Sequence, residues 1–241
     1  MNEADGPAAR TTIMARIREA LRLPAQPPHL SAHAAPAGGS AALTVLPAEA
    51  ARPWLPDGGD TPIERRRILV ANLEKLRAVV REVPDVAAAA AWLATLAAER
   101  GWRRVACHAS PLVEALLGNL ACDVHRVDGG DGFDKDALEA CDAGVTTCEA
   151  LVAQTGSILV SSGSCGGRAL SILPHVHVVI ATADQLLGTL GDALHMVRER
   201  HGGRLPSMLS FITGPSRTGD IERILVLGAH GPKELFLILV G

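Results

Sequence analysis

Apolar residues between positions 61 and 83 recur in steps of three and four, a spacing typical of the buried face of one helix. The seam consists of Leu69, Leu73, Leu76, Val80 and Val83. Thr61, Pro62 and Glu64 form a helix start, because Thr61 and Glu64 complete a capping box and proline suits the first helical position. The pattern therefore predicts a helix that begins at Pro62 and is stopped by Pro84.

Short apolar runs then alternate with helical segments. Asp85 is placed to cap an alanine-rich helix that runs to Arg100. The chain continues with predicted strands at 105–108, 122–127 and 143–147, and predicted helices at 110–117 and 134–140. Strands separated by helices of this length indicate parallel βαβ units and a sheet covered by helices.

After Glu149 the predicted strands follow one another more closely. They are residues 157–161, 176–180, 209–212, 224–227 and 235–240. One helix interrupts them, capped by Asp184 and ending near Arg200. Its predicted buried face consists of Leu186, Leu187, Leu190, Leu194 and Val197. Because short loops join the last strands, we predict an α/β fold with a mixed, largely parallel sheet of about seven to nine strands.

The first sixty residues have a different character. Ile13, Ile17 and Leu21 indicate a short amphipathic helix at 10–22, and its thin apolar stripe favours docking on protein over binding lipid. Residues 24–60 are rich in proline and glycine and lack a period, as in a linker or a loosely packed arm. We therefore predict an N-terminal helix and arm at 1–60 and an α/β domain at 61–241.

Composition and charge exclude several classes of function. The chain is 48% hydrophobic, enough for a sizeable core, and its net charge of −3 gives no general attraction to nucleic acid or an anionic membrane. Its five cysteines have no C-x-x-C spacing, so we expect reduced, buried thiols and no metal or other cofactor. Neither a signal-peptide core nor an 18-residue apolar run is present, which predicts a cytoplasmic protein with no membrane partner.

Polar, glycine-rich loops recur at the ends of predicted strands. They are Gln154–Ser157, Ser162–Arg168, Thr213–Glu222 and Gly228–Glu234. Backbone N–H groups in such turns, together with hydroxyls and an arginine fork, form concave sites for phosphate or carboxylate. Each loop taken alone is also compatible with a tight turn in a twisted sheet. The sequence predicts that at least one of them contributes to an anion pocket.

Motifs for more specific chemistry are absent or incomplete. No phosphate-binding P-loop and no dinucleotide fingerprint is present. Ser162 stands where a nucleophile elbow has its first glycine, which argues against a hydrolase. His175 and His177 have no matching third ligand, so we predict no metal site. His230 lies between two glycines, Gly228 and Gly231, beside Pro232 and Lys233, and is a candidate for contact with a carbonyl or an anion.

Four segments resemble the lactate-utilisation protein C family, the LUD domain. They are Thr155–Ser157, Ser171–His177, Gly214–Glu222 and Gly228–Glu234. The resemblance covers roughly residues 60–241 and is most specific in the last two segments, taken in that order. It implies a three-layer αβα architecture shared with ribose-5-phosphate isomerase, glucosamine-6-phosphate deaminase and CoA transferases.

The resemblance also implies a pathway and partners. The family is implicated in bacterial growth on L-lactate, beside iron–sulfur proteins that oxidise lactate to pyruvate. Such a chain is expected to have these proteins and a small anionic metabolite as partners, and a homo-oligomer is compatible with it. Gln154 departs from the family, whose members often have Glu before Thr-Gly. If that Glu acts as a nucleophile, as in CoA transferases, Gln154 cannot replace it.

Two sets of site residues follow from the loops and the resemblance. The catalytic candidates are His230 and Asp220, with Arg217 as the anion clamp. The predicted ligand-binding residues are Thr155, Gly156, Ser157, Arg168, Gly214, Ser216, Arg217, Thr218, Gly231 and Lys233.

Three functions remain open from the sequence. The chain is a subunit of a lactate-oxidising assembly, a stand-alone enzyme acting on a small phosphorylated or carboxylated metabolite, or a small-molecule-binding module without chemistry. The stand-alone enzyme differs from the binding module only in that the purified chain would convert its ligand.

Overall fold

The computed structural model describes residues 11, 12, 14–16, 18, 19, 55–127, 134–202, 204–218, 226–228 and 230–241, with the backbone alone at 218, 226 and 227. The chain divides into two units, Met1–Ala51 and Arg52–Gly241. In the first unit the described residues between positions 11 and 19 are helical, within the helix predicted at 10–22. Its predicted apolar seam, Ile13, Ile17 and Leu21, lies outside the described residues.

A parallel sheet forms the centre of the second unit. Its strands are β1 (Val79–Val83), β2 (Arg104–Cys107), β3 (Asp123–Arg126), β4 (Ala143–Thr146), β7 (Val176–Thr182) and β12 (Glu234–Val240). Their order is β1-β12-β7-β4-β2-β3, and every neighbouring pair is parallel. All six residues from Leu235 to Val240 are buried, as expected for a strand covered on both faces.

Five helices flank the sheets in the described part of this unit. They are α1 (Pro62–Lys75), α2 (Val86–Arg100), α3 (Pro111–Leu117), α4 (Lys135–Glu139) and α5 (Leu190–His201). The predicted caps of α1 and α2 are confirmed: Thr61 and Glu64 form a capping box on α1, and the Asp85 carboxylate accepts the Ala88 N–H at 2.7 Å on α2. Local side-chain chemistry therefore sets where these helices begin.

A second, four-stranded sheet lies against the parallel one. Its strands are β5 (Ala150–Val152), β6 (Ser157–Ser161), β8 (Leu186–Leu187) and β9 (Leu209–Ile212). The order is β8-β5-β6-β9, with β6 antiparallel to both neighbours and β5 parallel to β8. A third pairing joins Arg217–Thr218 (β10) to Val226–Leu227 (β11), antiparallel.

Two main cores separate the layers. Helices α2 and α3 pack on one face of the parallel sheet, around Val105, Val145 and Val178. Helix α1 and the second sheet pack on the other face, where Leu69 and Leu73 meet alternate residues of β12. Helix α5 covers the far side of the second sheet.

The α/β class and the largely parallel sheet are confirmed, and so is the expected antiparallel pairing. The prediction of one mixed sheet of seven to nine strands is wrong, because the strands are divided between separate sheets. The three-residue strand β5 was missed, since so short a run has no period to detect.

The first predicted helix ends earlier than the apolar seam indicated. Helix α1 stops at Lys75, Arg77 adopts a left-handed φ of 66°, and β1 follows. Strand β1 pairs in register with residues 236–240 of β12. Val80 and Val83 match a helical spacing only by coincidence, and pairing in the sheet overrides that local pattern.

The prediction that Asp184 caps a long helix is also wrong. Helix α5 begins after Thr189, which forms a capping box with Asp192. Leu186 and Leu187 belong to β8 instead, and Leu194 is 55% exposed. The capping box of Thr189 and Asp192 sets the start of the helix, and pairing with β5 makes Leu186 and Leu187 a strand. The leucine spacing had assigned this segment to the helix.

No helix among the described residues combines the length and the apolar character needed to cross a membrane.

Asn72 fixes α1 to the turn between β5 and β6. Its amide donates to the carbonyl oxygens of Ala153 at 2.9 Å and Gln154 at 3.3 Å. We predict that Asn72→Ala lowers the free energy of unfolding by about 1–3 kcal/mol, because two partly buried carbonyls lose their donor. Urea denaturation measures the change. The matched control is Asn119→Ala, at an exposed position, which should change it by less than about 0.5 kcal/mol; equal effects would contradict the anchoring role.

Candidate functional site

A cavity of about 380 Å3 opens beside the segments that carry the glycine-proline motifs. Its lining residues are Ser171, Ile172, Met208, Ser210, Ile212, Gly214, Ser216, Arg217, His230, Gly231 and Pro232. Five of the residues predicted for the site, Gly214, Ser216, Arg217, His230 and Gly231, lie around this one cavity. Its volume is within the range of about 300–1,000 Å3 that is usual for small-molecule sites.

The end of β9 supplies one wall of the cavity. Met208, Ser210 and Ile212 occupy alternate positions along the chain, so their side chains share one face of the extended segment. Leu209 and Phe211 point to the other face and pack with the core under α5. Sequence reasoning found the strand but missed these residues; the alternation was the signal that would have identified them.

The two glycine-proline loops contact each other through Ser216. The Ser216 N–H donates to the Pro232 carbonyl at 2.8 Å, and the Gly228 N–H donates to the Ser216 carbonyl at 3.0 Å. The Lys233 N–H also donates to the His175 carbonyl at 2.8 Å. These backbone bonds hold both loops to the parallel sheet at the start of β12 and β7.

Gly214 allows the first loop to approach α1. Its φ is 95°, in the left-handed region, and a Cβ there would lie 2.9 Å from the Leu76 carbonyl oxygen. Neither the backbone conformation nor the space tolerates a side chain. This glycine is therefore a structural requirement of the cavity wall.

Four polar side chains of the cavity have no partner in the described part of the chain. Among the described residues, the side chains of Ser210, Ser216, Arg217 and His230 make no hydrogen bond or ion pair. Arg217 and His230 are exposed at its mouth. A guanidinium, an imidazole and two hydroxyls are thus available, a combination suited to an anion.

Other predicted ligand-binding residues are engaged in the fold. The hydroxyls of Thr155, Ser157 and Thr213 form a chain with O–O distances of 2.7 and 2.9 Å. Arg168 donates to the Ser207 carbonyl. None of Thr155, Ser157 and Arg168 lines the cavity, and their binding role stays a prediction.

The remaining predicted residues lie beside the cavity or outside the described chain. Gly156, at φ 63°, packs against Asn72, and the Lys233 side chain lies along Gly228. The backbone of Thr218 pairs with Val226 in β10–β11. Asp220 lies outside the described residues.

Gln154 is a structural residue here. Its amide nitrogen donates to the Pro56 carbonyl at 2.8 Å, and its amide oxygen accepts the Leu190 N–H at 3.4 Å. A carboxylate could not donate to the Pro56 carbonyl. The residue at this position therefore joins two backbone segments through both ends of its amide.

Glu149 is a buried carboxylate that sequence reasoning missed. It is 3% exposed, and one oxygen accepts the hydroxyls of Ser161, at 2.7 Å, and Ser164. The other oxygen pairs with Arg200, and His201 Nε2 lies 3.8 Å from the carboxylate. Burial raises the pKa of Glu149, but the hydrogen bonds from Ser164, Ser161 and Arg200 outweigh it and lower the pKa below its ordinary value. The cluster fixes the start of the loop at 162–168.

Two buried histidines are neutral components of the same region. Burial lowers the pKa of His108, whose Nε2 accepts the Thr147 N–H at 3.2 Å. Burial lowers the pKa of His177 to about 4, and its Nε2 lies 2.9 Å from the Thr146 hydroxyl. His175 is exposed instead, and no metal-ligand cluster occurs among the described residues.

The cysteines behave as buried thiols. Cys122, Cys141, Cys148 and Cys165 are free, and burial raises the pKa of each. Thiols with raised pKa values are poor nucleophiles at neutral pH.

Comparison with known proteins identifies what the chain resembles. Residues 67–240 match the family model of the LUD domain. A lactate utilization protein C of Bacillus subtilis strain 168 is 34% identical over 116 residues, which is 47% of this chain and 48% of that protein. One from Shouchella clausii strain KSM-K16 is 37% identical over 106 residues, 44% and 46% of the two chains. The chain thus spans about half the length of the curated relatives it matches.

A solved structure shares the fold. The crystal structure of a DUF162 family protein from Deinococcus radiodurans aligns with a TM-score of 0.57 at 22% identity, covering 75% of this chain and 99% of that one.

Replacement of Gly214 by alanine should distort the cavity wall. We predict that Gly214→Ala lowers the free energy of unfolding by about 2–4 kcal/mol, because left-handed strain of about 1–2 kcal/mol adds to the contact with Leu76. Gly202→Ala is the control, since Gly202 has a φ of 53° but a Cβ added there would meet nothing within 4 Å. Denaturant titration compares them, and an equal loss in both variants would show that Leu76 imposes no constraint.

Acid should weaken the Glu149 cluster. Because the folded-state pKa of Glu149 lies below its ordinary value of 4.5, its contribution is complete above 4.5 and is lost as pH falls through the folded-state pKa. We predict that Glu149→Gln costs about 1.5–3 kcal/mol at pH 7 and progressively less below pH 4.5. Unfolding at a series of pH values measures this, with the exposed Glu139→Gln as control. A cost that is independent of pH would contradict the assignment.

Proposed function

Because this chain belongs to the LUD domain family, we propose that it is a subunit of a lactate-utilisation system. In this proposal it binds a small organic anion in the cytoplasm and supports the oxidation of L-lactate to pyruvate by iron–sulfur partner proteins. The relatives named lactate utilization protein C support the pathway.

The observation that carries the proposal is the set of unpaired polar groups around one cavity. Arg217 and His230 come from two loops that Ser216 holds together, and neither side chain has a partner among the described residues. A carboxylate is a suitable partner for such a guanidinium, because the two groups form a pair of parallel charge-assisted hydrogen bonds. Lactate and pyruvate both carry that group.

The residues would divide the work by their chemistry. Arg217 binds the carboxylate of the ligand. The hydroxyls of Ser210 and Ser216 contact the oxygen on the neighbouring carbon, and His230 exchanges a proton with that oxygen. Conversion of lactate to pyruvate releases two electrons and two protons. The chain has no C-x-x-C spacing, so we assign the electron acceptor to the partner proteins.

A stand-alone enzyme is the second candidate, and the position of His230 beside Arg217 favours it. Arginine and histidine on one cavity are the minimum for anchoring an anion and moving a proton. The two functions differ in what the purified chain does: a subunit binds 2-hydroxy acids without turnover, and an enzyme converts them without partners.

Growth on lactate tests the proposed subunit role. In a host whose own copy has been deleted, we expect the Arg217→Ala chain to restore growth on L-lactate poorly, and the purified variant to bind lactate about 10- to 100-fold more weakly, since a charge-assisted hydrogen bond is lost. Arg198→Ala, at an exposed arginine outside the cavity, is the matched control and should behave as the unaltered chain. Full growth with Arg217→Ala would refute the proposal.

A further inference from the structure

Resting on the proposed function, we propose that the cavity selects 2-hydroxy monocarboxylates whose apolar side chain is longer than the methyl group of lactate. The composition of its lining carries this inference. The cavity combines the polar side chains of Arg217, His230 and Ser216 with the apolar side chains of Met208, Ile212 and Ile172. A ligand that satisfies both kinds of group has a charged head and a hydrocarbon tail.

The apolar side chains of the cavity expose surface that a ligand can cover. Ile172 is 45% exposed, one of the few large hydrophobic side chains of the described chain that is so open. Met208 and Ile212 are partly buried: they pack against the core beneath α1 and also line the cavity. Covering such surface with a hydrocarbon chain removes it from water, which favours binding by about 0.8 kcal/mol for each buried methylene.

The charge of the lining indicates a single carboxylate. Arg217 is the one guanidinium among the described lining residues, and neither an ammonium nor a carboxylate group accompanies it there. A monocarboxylate carries one negative charge, whereas a phosphate monoester carries about 1.5 to 2 at neutral pH. One bidentate guanidinium matches the first and leaves the second partly uncompensated.

The size of the cavity exceeds that of lactate. About 380 Å3 would hold about a dozen water molecules at roughly 30 Å3 each. Lactate has six non-hydrogen atoms and would leave about half of this space filled by water. A side chain three or four carbons longer fills more of it.

Serine hydroxyls account for the 2-hydroxy group. Ser210 lies between Met208 and Ile212 on the wall, and its hydroxyl has no partner among the described residues. Ser171 is 4% exposed, lines the same cavity, and makes only a long 3.4 Å bond to the Arg168 carbonyl. Both hydroxyls line the cavity and can bind a polar atom of a ligand.

The experiment is a calorimetric titration of the full chain with lactate, 2-hydroxybutanoate, 2-hydroxypentanoate and 2-hydroxyhexanoate. We expect the Kd to fall by about 4-fold for each added methylene, which is the fold-change that 0.8 kcal/mol represents. Hexanoate, which lacks the hydroxyl, should bind more weakly than 2-hydroxyhexanoate. Hexyl phosphate and inorganic phosphate test the alternative anion and should bind more weakly still.

Variants of the apolar wall separate this inference from the proposed function. Met208→Gln and Ile212→Thr make the wall more polar and should flatten the dependence of the Kd on chain length; thermal unfolding confirms that each variant folds. A Kd that does not change along the series, with Arg217→Ala still weakening binding, overturns the inference and leaves the proposed function intact. Binding of the whole series that is unaffected by Arg217→Ala overturns both.

Discussion

The pairing of β12 between β1 and β7 is the constraint on which the candidate site depends. Its parallel register places the beginning of all three strands at one edge of the sheet. The segments that lead into them contribute Leu76, His175 and Pro232, and these contact the glycine-proline loops directly. The cavity therefore lies at the edge of the sheet where these three strands begin, and backbone hydrogen bonds attach its loops to that edge.

This position differs from the usual one in parallel sheets, where ligands bind beyond the carboxyl ends of the strands at a topological switch point. Here the order reverses between β2 and β4, and the residues that follow them are already paired. His108 accepts a backbone N–H from Thr147, and Glu149 is held by two serines and Arg200. Side chains with satisfied hydrogen bonds have little to offer a ligand, so the unpaired groups of the cavity are the stronger candidates.

Local signals in the sequence predicted local structure well. The capping residues of α1 and α2 were identified correctly because a cap depends on side chains within four positions. Strand β1 was missed because the spacing of Val80 and Val83 fits a helix, and only β12, more than 150 residues later, makes it a strand. Glu149 was missed for the same reason: its partners Ser161, Ser164 and Arg200 are distant in sequence, and no motif joins them.

Gln154 shows how far the family resemblance reaches. A glutamate that acted as a nucleophile at this position would need an open approach, yet residue Gln154 is only 9% exposed and its amide is bonded at both ends, to Pro56 and Leu190. A glutamate here would lose the bond to the Pro56 carbonyl and place a charge in a buried position, which is costly. The position therefore contributes to folding in this chain, and a reaction like that of the CoA transferases has no carboxylate there to use. We therefore propose that any chemistry in this domain uses side chains that have no partner among the described residues, such as those of Arg217 and His230 on the cavity.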